Sequence, residues 1–533
     1  MALAQQTASP PVVAPGGRRR LRKGPPRTLI LASLFTAAVA TAPLWYLLAK
    51  AVGAGWDRVL EILARPGVLA AAASSAALTL TVGALAIVLG TATAWLVGRT
   101  SVPGRRAWSV ALILPLAVPS YVAAYSWVSL VPGMRGFWAA VLVLTLATTP
   151  YVVLPVLAAL RQGEAGVEEA ARSAGAGGWR VFRTVTLPAV WPAAAAGGLL
   201  AMLYTLAEFG TVAIFQVDAL TRDIYLSFSA AFDPATAVVQ SIALVALAIV
   251  LVLGERWARG SYHRCRVSTA APRPAATAQL SGPAMLGSLL GLAGLAGLAL
   301  GVPFVALTSR LIAGMRGGLD LGEIAAAAGA TAWVGLLGAV LAVALALPVA
   351  VLAARYRSAR SGIVETASYS GHALPGVVVG LSLVFLTLAI APGLYQSIAV
   401  LALAYAVLFL PKAIGSARAA IETVPPTLEQ VARSQGRSAR GAFGSVTARI
   451  AAPGIAAGGL LVMVTAMKEL PATLMLRPTG FETLATEMWS RTEVAAYGAA
   501  APYALALVLV AAVPAALLAR SVVPGRDGVR LAP

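Results

Sequence analysis

The chain has 533 residues, of which 59% are hydrophobic and only 11% charged, with a formal net charge of +20. A soluble domain carries roughly 25% charged residues, so a soluble fold is excluded, and apolar runs of about 20 residues or more are long enough to cross a bilayer as helices. A transmembrane barrel would show short alternating segments instead; the fold class expected is an all-α polytopic membrane protein.

Twelve spans are predicted, at 28–49, 67–98, 108–131, 136–160, 188–216 and 235–255, then 283–309, 324–354, 370–391, 395–417, 453–476 and 496–519. The first follows basic residues and contains Ala40-Thr41-Ala42, as a secretory signal would, but its apolar stretch continues to Ala49. That is longer than a signal core, and residues 28–49 are read as a retained span. The domains expected are a basic tail (1–27), a first half (28–256), a linker (257–282), a second half (283–519) and a second tail (520–533). The linker is polar, basic and rich in Pro, Ser and Thr.

Loops placed alternately inside and outside, starting inside, leave 29 Lys and Arg on the inside and nine outside, with Lys412 and Lys468 at or within spans. This asymmetry is the positive-inside rule. It puts both termini in the cytoplasm and explains the net charge as topology, so no nucleic-acid partner is expected. The single cysteine, Cys265, excludes an intramolecular disulfide. With His263 and His372 the only histidines, the chain lacks the ligands for a His/Cys metal cage.

The chain repeats itself. At an offset of 261, Pro150 meets Pro411, Glu168 meets Glu429, Phe182 meets Phe443, and Val185-Thr186 meets Val446-Thr447. Pro192 then meets Pro453, and Glu208 meets Glu469. Arg99 meets Arg355 and Pro119 meets Pro375 at an offset of 256. Six spans separate the copies, so both have the same orientation, and two parallel six-helix repeats are expected about a pseudo-two-fold axis along the membrane normal.

Residues 161–187 lie between the fourth and fifth spans and are too charged for lipid. Val167, Ala170, Ala171 and Ala174 fall on one helical face, while Glu168, Glu169 and Arg172 fall on others. Glycines at 175, 177 and 178 interrupt the helix, Trp179, Phe182 and Val185 resume helical spacing, and Pro188 opens the next span. A short helix, a turn and a second helix at the membrane face are expected. A solvated loop needs neither this amphipathicity nor recurrence at 418–452, so the segment reads as a docking element for a cytoplasmic partner.

Glu169, Ala170, Ala171 and Gly175, followed by Val185, Leu187 and Pro188, resemble the EAA signature of binding-protein-dependent ABC importer permeases. The second copy keeps Ala432 and Gly436 but has Gln430 for the motif Glu, Val431 for the first Ala, and Ala448-Arg449 for Leu-Pro. The resemblance implies that both segments are coupling helices seated on ATPase subunits, with Glu168 and Glu429 beside them. It implies two cytoplasmic ATPase subunits, a periplasmic binding protein and a bacterial inner-membrane location. No G-x-x-x-x-G-K-[ST] occurs in the chain, so it has no P-loop. It is expected not to be an enzyme and to bind no cofactor; ATP-Mg belongs to the partner subunits.

Residues 206–225 and 468–489, with 118–127 and 374–386, resemble the ferric-iron branch of that family. Related branches carry thiamine, polyamines, phosphonates or oxyanions, and a 12-span secondary transporter is the rival from another class. Glu208 and Glu469 occupy equivalent points in the fifth and eleventh spans, where a carboxylate costs about 2.5–3.5 kcal/mol and should face the bundle interior or a cavity. One reading makes them line or gate a cation pathway, since a hard trivalent cation prefers oxygen ligands; the other makes them structural, with Glu469 ion-paired to Lys468 or an Arg. Tyr121, Tyr125 and Tyr204 are further oxygen-bearing candidates, although aromatic residues in spans more often pack. No metal ligand set is assigned. Arg58, Arg222, Arg310 and Arg477 are placed outside, where they either meet acidic rims of a binding protein or remain solvated.

Overall fold

A computed structural model describes residues 24–162, 165–259, 278–315, 318–356 and 358–522. The basic tail up to residue 23, most of the linker with His263 and Cys265, and the tail from 523 lie outside them. The described residues are almost wholly helical and form no sheet; an isolated bridge joins Thr100 to Ala278.

Among the described residues, ten helices are long and apolar enough to cross a membrane: Arg27–Ala54, Pro66–Arg99, Phe137–Arg161, Gly178–Ala207, Pro234–Gly254, Gly282–Met315, Leu321–Arg355, Ile398–Glu422, Ala439–Ala466 and Tyr497–Leu517. The expected third and ninth spans are not continuous. The third bends by 94° between Arg105–Ala117 and Ser120–Leu130. The ninth, expected at 370–391, begins with a short turn at Ser370–Ala373 and is helical only over Gly376–Ile390, while a separate helix, Ala359–Ser368, precedes it. The physical reason is shared: Pro119 and Pro375 stand immediately before the second helix, where a missing N–H and a fixed φ make a helix start natural and a helix interior costly.

Small residues let the spans approach closely, as in many membrane bundles. A Cβ on Gly90 would lie 2.6 Å from the Val152 side chain, which ties the second span to the fourth. The two halves also exchange their outermost helices. In the first span, Thr36 donates to the Leu345 carbonyl at 2.8 Å and Tyr46 to the Phe385 carbonyl at 3.0 Å, so this helix lies on the second half. In the seventh span, Leu292 is buried with Ala86, Val152 and Val156 of the first half. Just before it, the Ala278 amide donates to the Arg99 carbonyl at 2.8 Å. Each half thus completes its packing with a helix from the other.

The fifth and eleventh spans also differ from expectation. Residues 188–216 and 453–476 are expected to break at Gly210 and Pro471 into outer loops; the breaks are there, but the loops are not. The long helices end at Ala207 and Ala466, the chain breaks, and short buried helices follow at Gly210–Ile214 and Pro471–Leu476. Beyond these, Leu220–Ser229 and Leu484–Glu493 are held by matched contacts: the Leu220 amide donates to Ser75 and the Leu484 amide to Thr331, both at 2.9 Å.

Candidate functional site

Two short helices, Ala165–Ser173 and Pro426–Ser434, stand at the predicted docking positions. Both end in the same turn. The Ala176 amide bonds the Ala171 carbonyl at 3.1 Å and the Gly175 amide bonds the Arg172 carbonyl at 2.9 Å. Arg437 to Ala432 and Gly436 to Arg433 repeat the pair. This is the Schellman ending, which needs a left-handed residue just after the helix. Gly175 has φ of 82° and Gly436 of 88°, a conformation that costs an L-residue about 1–2 kcal/mol.

Each docking helix is then pinned to the membrane domain by one carboxylate. Glu168 is buried, lies 3.6 Å from the Arg99 guanidinium at the end of the second span, and accepts from Thr186 Oγ1 at 3.0 Å. Glu429 lies 3.2 Å from Arg355 at the end of the eighth span and accepts from Thr447 Oγ1. All three residues of one clamp match those of the other under the sequence repeat. Glu168 therefore faces the protein, opposite the apolar face, and its charge is matched and hydrogen-bonded as burial demands.

The remaining motif residues divide by exposure. Val167, Glu169, Ala170 and Gly175 are exposed, Ala171 is half-buried, and Ala432 is buried, while Gln430, Val431 and Gly436 are exposed. The apolar stripe thus faces away from the membrane domain. The replacement of Glu by Gln at 430 lies on that outer face and leaves the clamp intact. Half-buried Leu187 and Pro188 open the fifth-span helix. Ala448 and Arg449 stand in the same position without changing the backbone: both docking segments run into their spans through a five-residue π-turn, Phe182–Thr186 and Phe443–Thr447. π-turns inside helices often mark functional sites.

Glu208 and Glu469 sit at the breaks. Glu208 accepts from the Thr211 amide at 3.0 Å and from Ser120 Oγ at 2.8 Å, and Tyr204 donates to Ser120 at 2.8 Å. Glu469 accepts from the amides of Ala472 at 3.2 Å and Thr473 at 3.1 Å, and from Thr473 Oγ1 at 3.1 Å. Each carboxylate caps the short helix that follows it, where free amides favour negative charge. Of the two readings of Glu469, the ion pair with Lys468 or an Arg is not found among the described residues: Lys468 Nζ donates instead to the Leu116 carbonyl at 3.1 Å. At the site matching Ser120 stands Gly376, whose added Cβ would lie 2.3 Å from Glu469 Oε1.

The tyrosines mostly tie the halves together. Tyr121 donates to the Lys468 carbonyl at 3.3 Å and Tyr125 to the Tyr497 carbonyl at 2.5 Å. The four outer arginines are engaged within the chain: Arg58 with Glu61 at 2.7 Å, Arg222 with Asp218 at 3.1 Å, Arg477 with Glu482, and Arg310 with the Ser129 carbonyl. Hydrogen bonds from Arg58 and Arg65 hold the Glu61 carboxyl below the usual range. Among the described residues, no three His, Cys, Asp or Glu side chains converge as metal ligands. Sequence reasoning missed the clamp as a unit, although the repeat had paired Arg99 with Arg355 and Thr186 with Thr447.

The family described as the binding-protein-dependent transport system inner membrane component matches residues 86–259 and 346–524. The Fe(3+)-transport system permease protein FbpB 2 of Haemophilus influenzae is 34% identical over 496 residues, 93% of this chain and 98% of the relative. The sulfate transport system permease protein CysT of Escherichia coli is 27% identical over 44% of this chain and 92% of its own length. The molybdenum transport system permease protein ModB of Escherichia coli is 32% identical over 34% of this chain and 90% of its own. These half-length matches agree with two repeats in one chain. The family and these relatives are transport permeases, and this chain is accordingly a transport subunit. The chain belongs to the family of binding-protein-dependent transport system inner membrane components, as a fused, two-half permease of the ABC type.

Proposed function

We propose that this chain imports ferric iron across a bacterial inner membrane, receiving it from a periplasmic binding protein and driven by two cytoplasmic ATPase subunits. The observation that carries the coupling half of this reading is the pair of clamped docking helices. Each turns an exposed apolar face outward, and each is fixed to a span end by an Arg–Glu–Thr contact, buried in the first half and partly buried in the second. Two such faces call for two ATPase protomers, with both chain termini on the same cytoplasmic side. Closure of the ATPase dimer on ATP draws the docking helices together. Because Glu168 and Glu429 bind them to the second and eighth spans, the motion passes to the bundle and switches its opening from one side to the other.

Glu208 and Glu469 serve this switch as gate elements. Their oxygens are committed to amides and hydroxyls, which favours holding the helix breaks over binding cargo directly. Tyr121 and Tyr125 cross between the halves at the same level and would part when the pathway opens.

Iron is favoured over the oxyanions named in the half-length relatives because the iron-permease relative matches along 93% of the chain. The test is uptake in cells lacking their own iron importers and supplied with this permease, its ATPase and its binding protein. Labelled ferric iron should enter, and labelled sulfate and molybdate should not. Entry of either oxyanion without iron would reassign the cargo.

A further inference from the structure

The two clamps are preserved across the repeat, but the polar groups nearer the middle of the spans are not. At the offset of 261, Tyr151 is matched by Lys412, Tyr204 by Thr465, and Ala207 by Lys468. In the first half, the Tyr151 and Tyr204 rings pack with centroids 5.6 Å apart. In the second half, Lys412 Nζ donates to Thr465 Oγ1 at 3.0 Å and lies 5.1 Å from the Phe409 ring centre. Lys468 follows one turn after Thr465, its amide donating to the Thr465 carbonyl at 3.2 Å, while its Nζ reaches the Leu116 carbonyl of the first half. Lys468 thus stands where the two halves meet, one helical turn from the threonine that Lys412 engages.

Nothing acidic answers these charges. Neither lysine has a carboxylate partner among the described residues, and the adjacent Glu469 directs its oxygens to the Ala472 and Thr473 amides. An ammonium has three donors; each lysine spends one on a single protein oxygen, and both side chains are only half-buried. An ionisable residue within a span is expensive and, where it persists, faces a bundle interior or pathway. Two cations without a carboxylate partner among the described residues, one of them at the meeting line of the two halves, attract an anion and repel a bare trivalent cation.

We propose that Lys412, Lys468 and Thr465 form an oxyanion subsite in the translocation pathway, suited to a phosphate or carboxylate group. Tyr151 and Tyr204 present a neutral surface at the matching position of the other half, so the subsite belongs to the second half alone. This rests on the permease reading above: iron passes this level with an oxyanion attached, or a free oxyanion occupies the level by itself.

The test uses the permease reconstituted in liposomes with its ATPase and binding protein. Its first arm measures binding of labelled inorganic phosphate to the assembled complex without nucleotide. Wild type should bind saturably. Lys412→Gln with Lys468→Gln should weaken binding at least ten-fold, and Lys412→Arg with Lys468→Arg should retain it, with co-purification of the ATPase confirming assembly. Undiminished binding in the Gln pair, or no saturable binding by wild type, overturns the subsite whatever the cargo. The second arm supplies ferric iron with labelled phosphate. Entry of both labels in fixed ratio identifies the iron-bound anion, and entry of phosphate independent of iron identifies the free one. Phosphate binding that depends on both lysines, in a wild type that moves no iron, sustains the subsite and removes the iron reading.

Discussion

Replacing Glu168 by Ala removes the carboxylate that seats the first docking helix. The pair it forms with Arg99 is nearly enclosed, with 7% and 10% of the two side chains exposed. Two unit charges at that 3.6 Å separation attract by about 4–5 kcal/mol at an effective dielectric near 20. Removing one member of a buried pair costs about 3–5 kcal/mol, because the partner is left charged and unmatched. A loss of about 3 kcal/mol lowers the seated population roughly 100-fold. The helix should then move without carrying the span with it. Iron uptake by the reconstituted complex should fall at least ten-fold, while the bound ATPase continues to hydrolyse ATP. Arg99→Met together with Glu168→Met replaces the pair by apolar groups, which is often neutral, and should recover much of the uptake. Wild-type uptake by Glu168→Ala, or a double variant no better than the single one, would refute the clamp as the mechanical link.

The second clamp, with Glu429 23% exposed, should tolerate Glu429→Ala better than the first tolerates Glu168→Ala in the same uptake assay. Gly175→Leu and Gly436→Leu should each uncouple hydrolysis from uptake by a similar factor. Both positions have positive φ and open surroundings; a several-fold difference between them would contradict this. Gly376→Ala should lower thermal stability by about 1–3 kcal/mol through overpacking against Glu469, measured by denaturation in detergent, whereas Gly393→Ala, at an open position, should not. Hydrogen bonds from Thr236 hold the Asp233 carboxyl below its usual range. Its folded pKa is lowered, so its contribution is complete above the unfolded value of about 3.9 and is lost as pH falls through the folded one. Hydrogen exchange at 233–240 should quicken on acidification below about pH 4 in wild type, and Asp233→Asn should show no such step.

The parts legible in the sequence were those written as repeated patterns. Long apolar runs announced the spans, and the 261-residue offset announced the halves and both docking segments. The prolines at 119 and 375 were seen as repeat markers, but a proline also opens an uninterrupted span, so neither announced the turn beside it. The exchange of the first and seventh helices was invisible for a similar reason: an apolar helix does not record which half it packs against. Helical periodicity placed Glu168 off the apolar face, where it stands, but periodicity does not give the identity of the surface opposite, so its Arg99 and Thr186 partners stayed hidden. Glu208 and Glu469 were singled out as equivalent, yet their partners include backbone amides three and four residues ahead, which no side-chain pattern encodes, beside the Ser120 and Thr473 hydroxyls. The losses at Gln430 and Ala448-Arg449 read as decay of the second docking site, whereas the backbone there retains the same helix, the same glycine ending and the same π-turn.

The central claim is that ATP hydrolysed on separate subunits drives this chain through its two docking helices. Labelled ferric iron uptake into proteoliposomes containing the permease, its ATPase and its loaded binding protein tests this most directly. Iron should accumulate only with ATP inside the ATPase-facing compartment, and vanadate should abolish it. Uptake that proceeds without the ATPase, on an imposed proton or sodium gradient, would contradict the account and make the chain a secondary transporter.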